Sequence, residues 1–196
     1  MEYASKHIKG AVLDLGAGSA KYRDIIKNKA EKYIAFDLVP GPNIDVTGDI
    51  FNMPFKDGQF DVVVSTQVLE HVGKPWIMAK EIGRVLKKGG ICIITAPFMT
   101  PYHPDPSDYF RYSKEGLEFL FKNEGFEIIE YGCYGKIFTV LSEMIRFGFF
   151  NRYKKKNTGR VRKRFIGFMI KVAEFLDGFL RKDPVIYVNS FIIAKK

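Results

Sequence analysis

Short apolar runs of strand length alternate along the chain with segments whose apolar residues recur at helical spacing. The runs predict strands over residues 11–15, 32–38, 43–46, 61–65, 91–96, 126–131 and 185–194. The helical periodicity, with Pro75 before the second segment and a Ser113 cap before the third, predicts helices over 20–29, 76–86 and 114–123. Because strands alternate with helices of about ten residues, we expect an α/β fold with right-handed crossovers and a mostly parallel sheet.

One stretch does not fit this alternation. A tight connection would suffice between the last two strands, but here residues 137–184 separate them. Apolar residues recur at helical spacing over 161–180, and 137–149 is a second apolar segment, so we predict a helical hairpin. The polar, basic run 152–160 lies between the two helices. We expect a single domain over residues 1–196 that contains this basic helical insertion.

Composition narrows the class of protein. A chain of 196 residues with 46% hydrophobic residues can bury a core, which argues against global disorder. Cys92 and Cys133 lie in apolar contexts, so we expect buried thiols rather than a disulfide. The N-terminus lacks the apolar region of a signal peptide, and no run approaches the ~18 apolar residues of a membrane span. We therefore expect a cytoplasmic protein, at most peripheral to a membrane.

The net charge of +9 is concentrated in one segment. Residues 145–182 hold 12 Lys/Arg against 2 Asp/Glu, a net +10, so the remainder carries 19 against 20, a net −1. A basic amphipathic hairpin is typical of binding to an anionic membrane surface. Alternatively, its apolar face covers the active site or a second copy in a homodimer. RNA binding is disfavoured, because Tyr153 is the only aromatic residue in the basic run and no RNA-binding motif is present.

The first strand leads into a glycine motif, VLDLGAGSA, which ends at Ala20. A dinucleotide fingerprint requires a third glycine where Lys21 stands, so that fingerprint is incomplete. Asp14 precedes Gly16 by two residues at the end of the strand, where a carboxylate would repel pyrophosphate and attract a cation. Gly16 and Gly18 allow the backbone to approach a ligand closely. The motif therefore predicts a site for a positively charged nucleoside such as S-adenosylmethionine.

With these segments, residues 8–132 resemble the class I methyltransferases of the methyltransferase type 11 group. The resemblance rests on four segments in the same order, which are VLDLGAGSA, AFDL, GDIFNMPFKDGQFDVVVSTQVLEHV and EIGRVLKKGGICIITAPF. It implies a doubly wound sheet of seven strands whose last strand is antiparallel. It also implies S-adenosylmethionine as cofactor. Because methyl transfer does not require a metal, we predict none.

The resemblance further implies which residues bind the cofactor. Asp14, with Thr66, Gln67 and Val68 after the fourth strand, falls on the methionine side. Asp37 ends the second strand beside Leu38 and matches the acid that binds ribose. Asp49, with the Ile50 backbone beside it, matches the acid that binds adenine. The alternatives are structural: a turn or cap carboxylate at Asp14, a strand-end charge at Asp37 and a turn residue at Asp49. Ala20 stands where the family often has a further glycine.

Two loops after strand ends carry the candidate catalytic residues. Methyl transfer is an in-line displacement that needs a general base only for acceptors that lose a proton. His71 follows the fourth strand and has either this role or a structural one, since a histidine is usual there in the family.

His103 lies in loop 98–112, which resembles an H-x-x-P-x-D-Y-x-R-x-S/T pattern of type 11 proteins in surface-polysaccharide pathways. We predict His103 as the acceptor-side base or hydrogen-bonding group. Asp108 and Arg111 could instead brace the loop, and a metal site from His103, Asp105 and Asp108 is a less favoured alternative.

The sequence therefore predicts methyl transfer from S-adenosylmethionine to a small-molecule or lipid-linked acceptor, with oxygen slightly ahead of carbon as the methylated atom. A quinone-type C-methyltransferase is the alternative enzyme, because that group shares the GDI…LEHV stretch. A non-catalytic cofactor-binding or scaffolding protein is the alternative of a different class.

Overall fold

The computed structural model describes residues 3–150, 160–180 and 184–196. Its central feature is a seven-stranded sheet with the order β3-β2-β1-β4-β5-β7-β6. The first five strands are parallel, and β7 is antiparallel to both of its neighbours. The predicted fold class is thus confirmed. The strands are β1 Ala11–Leu15, β2 Lys32–Asp37, β3 Val46–Thr47, β4 Phe60–Thr66, β5 Leu86–Pro97, β6 Glu127–Tyr134 and β7 Asn189–Lys195.

The part of the chain that the structure describes also contains five helices and two short 3-10 turns, one of which precedes β1. The turns are Tyr3–His7 and Leu69–His71, and the helices are α1 Arg23–Lys27, α2 Pro75–Val85, α3 Lys114–Asn123, α4 Ile137–Phe150 and α5 Arg160–Asp177. Ser113 caps α3 as predicted, with its hydroxyl accepting from the Gly116 amide at 3.0 Å. The prediction of a helix from residue 20 was wrong, because Ala20 has φ +53° and a regular helix begins only beyond it.

Buried side chains pack on both faces of the sheet, because successive strand residues point to opposite sides. Leu13 and Leu15 belong to the larger core cluster, which includes the apolar sides of α2 and α3. Val12 belongs to the smaller cluster on the other face, with Ile26 of α1 and Ile8, which directly follows the N-terminal turn. Both faces are covered, so the carboxyl ends of the parallel strands form the open edge of the sheet.

The helical hairpin α4–α5 lies between β6 and β7. Asp177, at the end of α5, caps the start of α4: its carboxylate accepts from the backbone amides of Lys136, Phe138 and Thr139 at 2.7, 3.0 and 3.2 Å and from the Thr139 hydroxyl at 2.6 Å. Within the described residues, no helix is both long and apolar enough to cross a bilayer. The basic residues 152–159, with Arg181 and Lys182, lie outside the described residues.

Candidate active site

A cavity of about 960 Å³ opens at the carboxyl ends of β1, β2 and β4. All nine residues predicted to bind the cofactor line it, namely Asp14, Gly16, Gly18, Asp37, Leu38, Asp49, Ile50, Thr66 and Gln67. They come from four separate segments, which the parallel strand order brings to one edge of the sheet.

The loop after β1 is fixed by its backbone. The amides of Gly16 and Ala17 donate to the Phe36 carbonyl at 2.9 and 3.1 Å, tying the loop to β2. Gly16 has φ +71°, and a Cβ there would overlap the Val68 side chain. Gly18 has φ +54°, but a Cβ there would meet no atom within 4 Å. Gly16 is therefore needed for both conformation and packing, whereas Gly18 leaves space on the side of the cavity.

Asp14 is the most buried carboxylate of the cavity, with 4% of its surface exposed. The Tyr33 hydroxyl donates to its Oδ2 at 2.7 Å. Burial raises the pKa of Asp14, and the hydrogen bond from Tyr33 opposes this shift. A cation bound in the cavity would favour the ionised form of this buried acid.

Asp37 and Asp49 sit at the ends of the neighbouring strands and also order the local backbone. Asp37 accepts from the Gly18 amide at 2.8 Å and from the Val39 amide at 3.1 Å. Asp49 accepts from the Phe51 amide at 2.8 Å, which is the turn role considered for it. Each carboxylate orders its loop and lines the cavity as well.

The charged side chains that line the cavity are mostly acidic. They comprise one amine and four carboxylates, which are Lys21, Asp14, Asp37, Asp49 and Asp105. Such a lining favours a cationic ligand and disfavours the pyrophosphate of a dinucleotide.

The loop after β4 is held against β5. The Gln67 amide donates to the Thr95 carbonyl at 3.0 Å, and the Gln67 side-chain amide donates to the Thr95 hydroxyl at 3.1 Å. Gln67 has φ +56°, a conformation that non-glycine residues seldom adopt. Such strain is concentrated at binding and catalytic sites.

The two candidate catalytic histidines have different positions. His71 lines the cavity, whereas His103 is not among the described residues that line it. The two rings approach edge to face, with centroids 5.2 Å apart. His103 Nδ1 lies 2.8 Å from the Pro101 carbonyl, and its Nε2 lies 3.5 Å from Oε1 of Glu70. Both ring nitrogens of His103 therefore lie near acceptors of the protein, and its role as the acceptor-side base or hydrogen-bonding group stays a prediction.

The loop that carries His103 is braced by an ion pair. Arg111 donates two bonds to Asp108, at 2.5 and 2.7 Å, and Asp108 also accepts from the His103 amide at 2.8 Å. The Arg111 guanidinium lowers the pKa of Asp108 to about 2. This geometry matches the bracing role that the sequence left open for the pair.

Sequence reasoning missed Glu70. Its side chain is fully buried, and its Oε1 lies 3.7 Å from His71 Nε2 and 3.5 Å from His103 Nε2. The only sequence signal is an acid beside a histidine directly after a buried strand. Burial of that acid depends on loop 98–112 packing over it, since the amide of Tyr109 donates to the Glu70 carbonyl at 2.8 Å.

Residues 13–94 match a protein family described as "Methyltransferase domain". An uncharacterized methyltransferase of Mycobacterium sp. (strain KMS) is 31% identical over 94 residues, which are 43% of this chain and 37% of that protein. The chain thus spans little more than a third of that relative's length.

Two solved structures share the fold. A SAM-dependent methyltransferase from Archaeoglobus fulgidus superposes with a TM-score of 0.67 at 18% identity, over 100% of this chain and 90% of the other. The [4+2]-cyclase SpnF gives the same TM-score at 17% identity, over 100% and 79%. Together with the family match, these likenesses confirm the resemblance to class I methyltransferases.

Proposed function

We propose that this chain, whose residues 13–94 match the methyltransferase domain family, transfers the methyl group of S-adenosylmethionine to an acceptor. The observation that carries the proposal is the acidic cavity at the carboxyl edge of the sheet, whose lining includes the buried Asp14. S-adenosylmethionine presents an ammonium and a sulfonium group, so its charge complements this lining.

The residues present fit this cofactor. Asp14, held by Tyr33, would bind the methionine end, and Asp37 would bind the ribose hydroxyls. Asp49 and the Ile50 backbone would bind the adenine. The cofactor supplies an electrophilic methyl group on a positively charged sulfur. The protein's own task is to hold the acceptor in line with that group and to keep water out.

We assign the acceptor side of the cavity to His71, Asp105 and Tyr109, all of which line it. A hydroxyl acceptor must also lose a proton, and we assign this step to the cluster of Glu70, His71 and His103, of which His71 lines the cavity. His103 acts as a positioning residue behind His71. We propose a small-molecule or lipid-linked acceptor, as in surface-polysaccharide or lipid metabolism, because the H-x-x-P-x-D-Y-x-R loop lies on this side.

Accumulation of S-adenosylhomocysteine tests this proposal. The purified protein, incubated with S-adenosylmethionine and a cell extract that supplies acceptors, should form the product well above the level in extract alone. Asp14→Asn should reduce the rate at least tenfold, and Asp24→Asn, which changes an exposed acid on α1, should not. A rate that is equal for Asp14→Asn and the wild type would refute the role of the cavity. Absence of product would favour a non-catalytic protein or another reaction, of which the cyclase with the same fold is an example.

A lipid-linked acceptor is also supported by the surface of the hairpin. Phe168, Phe175 and Phe179 are 65%, 68% and 75% exposed and follow one another at helical spacing. They belong to the segment 145–182, whose net charge is +10. Exposed apolar side chains in a basic segment favour an anionic membrane surface. None of the described residues of α4 and α5 lines the cavity, so a lid role has no support from their placement.

Sedimentation with liposomes separates the membrane surface from a homodimer interface. The wild type should bind vesicles that contain anionic lipid, and Phe168→Ser/Phe175→Ser should reduce the bound fraction severalfold. Phe119→Ser, a similarly exposed phenylalanine on α3, is the matched control. If the double variant sediments like the wild type but converts a dimer to a monomer in analytical ultracentrifugation, the surface is a homodimer interface.

A further inference from the structure

No described residue donates a hydrogen bond to the Glu70 carboxylate. The side chain is fully buried, and neither of its oxygens has a partner among the described residues. A buried carboxylate without compensation is strongly destabilising, so it requires either a proton or a nearby cation. The basic side chains within 4 Å of the Glu70 carboxylate are His71 and His103. The Arg111 guanidinium is paired with Asp108 instead.

Both histidines have the same hydrogen-bonding arrangement. Nδ1 of His71 lies 2.5 Å from the Ser107 carbonyl, and Nδ1 of His103 lies 2.8 Å from the Pro101 carbonyl. A carbonyl can only accept, so both Nδ1 atoms carry the proton. In a neutral imidazole the lone pair then resides on Nε2. Both Nε2 atoms would therefore carry a lone pair, and they lie 3.7 and 3.5 Å from Oε1 of Glu70.

Metal-binding histidines adopt this arrangement, in which one ring N–H is donated to the protein and the other nitrogen is free to bind the metal. Such histidines donate the other ring N–H to a backbone carbonyl or a carboxylate, which fixes the tautomer and the ring. One ligand atom from each of Glu70, His71 and His103 lies within 4.8 Å of the other two. We propose that Glu70, His71 and His103 bind a divalent transition-metal ion, with Zn²⁺ as the best match to two imidazoles and one carboxylate.

The distances agree with this assignment. Bonds of about 2.0–2.1 Å in a tetrahedral site place neighbouring ligand atoms ~3.4 Å apart. Glu70 Oε1 lies 3.5 Å from Nε2 of His103 and 3.7 Å from Nε2 of His71. Both distances are within a few tenths of an ångström of the tetrahedral separation, and all three ligand atoms lie within 4.8 Å of one another. Asp108 does not belong to the ligand set, because both of its oxygens bond to Arg111.

The ion would connect two loops that are distant in sequence. It would link the 3-10 turn Leu69–His71 to loop 98–112, which together form the acceptor side of the cavity. Three protein ligands leave a position for water or another oxygen ligand. Resting on the proposed methyl transfer, an acceptor hydroxyl at that position would lose its proton more readily, because a bound cation lowers the pKa of such groups. Binding of the metal itself does not depend on methyl transfer.

The competing occupant of the cluster is a proton. The Glu70 carboxylate raises the pKa of His103, against the opposite effect of burial, and the Pro101 carbonyl and Asp108 add to the rise. A protonated His103 would compensate Glu70 without any metal. A metal site predicts that the stripped protein binds added Zn²⁺, whereas a protonated His103 predicts that it does not.

The test uses the untagged protein, stripped with a chelator and titrated with Zn²⁺ against a chromophoric competitor, and in parallel with Co²⁺ for its visible absorption. We expect one equivalent to bind with Kd below about 1 μM, typical of a site with three protein ligands. Glu70→Gln and His103→Asn should each weaken binding at least a hundredfold. His7→Asn, which changes the one other histidine of the sequence, should bind like the wild type.

Thermal unfolding keeps the proposal testable if a variant folds poorly. Zn²⁺ should raise the Tm of the wild type and of His7→Asn, but not that of Glu70→Gln. Failure of the stripped wild type to bind an equivalent of Zn²⁺, or binding unaffected by Glu70→Gln, would overturn the metal site and favour the proton. Binding of S-adenosylmethionine, measured on the same samples, shows separately whether the proposed function holds.

Discussion

Gly16→Ala adds a methyl group at the tightest point of the loop that follows β1. Two costs arise there. The φ of +71° is a left-handed conformation, which costs alanine about 1–2 kcal/mol. The new Cβ would also overlap the Val68 side chain and lie 2.8 Å from its Cγ1, and overpacking of this kind costs about 1–3 kcal/mol. We therefore expect the free energy of unfolding to fall by about 2–5 kcal/mol.

Gly18→Ala is the matched control. Its φ of +54° imposes a similar conformational cost, but the new Cβ meets no atom within 4 Å, so the loss should be only about 1–2 kcal/mol. Gly18 lines the cavity. We therefore expect Gly18→Ala to lose more free energy of S-adenosylmethionine binding than free energy of unfolding.

Urea denaturation of a double-mutant cycle with Val68→Ala separates the two costs. Truncation of Val68 should relieve the overlap, so Gly16→Ala should cost about 1–3 kcal/mol less in that background, whereas Gly18→Ala and Val68→Ala should be additive within about 0.5 kcal/mol. If Gly16→Ala is no more destabilising than Gly18→Ala, or shows no coupling to Val68, the packing described for this loop is wrong.

Two further predictions concern stability elsewhere in the fold. Asp177→Ala removes the acceptor for three backbone amides at the start of α4, so the free energy of unfolding should fall by about 1–3 kcal/mol and amide exchange in α4 should accelerate; unchanged exchange would show that the cap is not formed. The hydrogen bond from Arg84 lowers the pKa of Glu81 below its ordinary value, so the ionised acid stabilises the fold above that value, and this contribution is lost as the pH falls through the lower, folded pKa. Glu81→Gln should therefore flatten the acid limb of a stability–pH profile measured by denaturation, whereas the exposed Glu115→Gln should leave it unchanged; equal limbs for wild type and Glu81→Gln would contradict the pairing.

The sequence predicted an element boundary correctly where that boundary depends on neighbouring residues of the chain. β1 has the predicted bounds Ala11–Leu15, and the Ser113 cap begins α3 as expected. Two boundaries depended on the tertiary structure. α1 starts at Arg23 because Ala20 takes a left-handed conformation, and β5 starts at Leu86, since that residue pairs with Phe60 of β4. Neither effect is encoded in the hydrophobic pattern.

In the candidate site, the cofactor residues could be predicted from local motifs, whereas the acceptor side could not. The nine predicted cofactor residues come from motifs whose spacing follows the parallel strands, so they meet at one edge. The acceptor side could not be predicted in detail, because it depends on how loop 98–112 folds over the turn at residues 69–71. His103 does not line the cavity among the described residues; its amide bonds to Asp108, and its ring nitrogens lie near the Pro101 carbonyl and Glu70. Pairings of this kind depend on contacts between loops rather than on any one motif.

Calorimetric titration of the purified protein with S-adenosylmethionine and, separately, with NAD⁺ tests the acidic cavity most directly. S-adenosylmethionine should bind with one site per chain, and NAD⁺ should bind far more weakly, if at all. Asp14→Asn should weaken S-adenosylmethionine binding at least tenfold, about 1.4 kcal/mol, while Asp24→Asn leaves it unchanged. Preferential binding of NAD⁺, or an affinity for S-adenosylmethionine that does not respond to Asp14→Asn, would contradict the account.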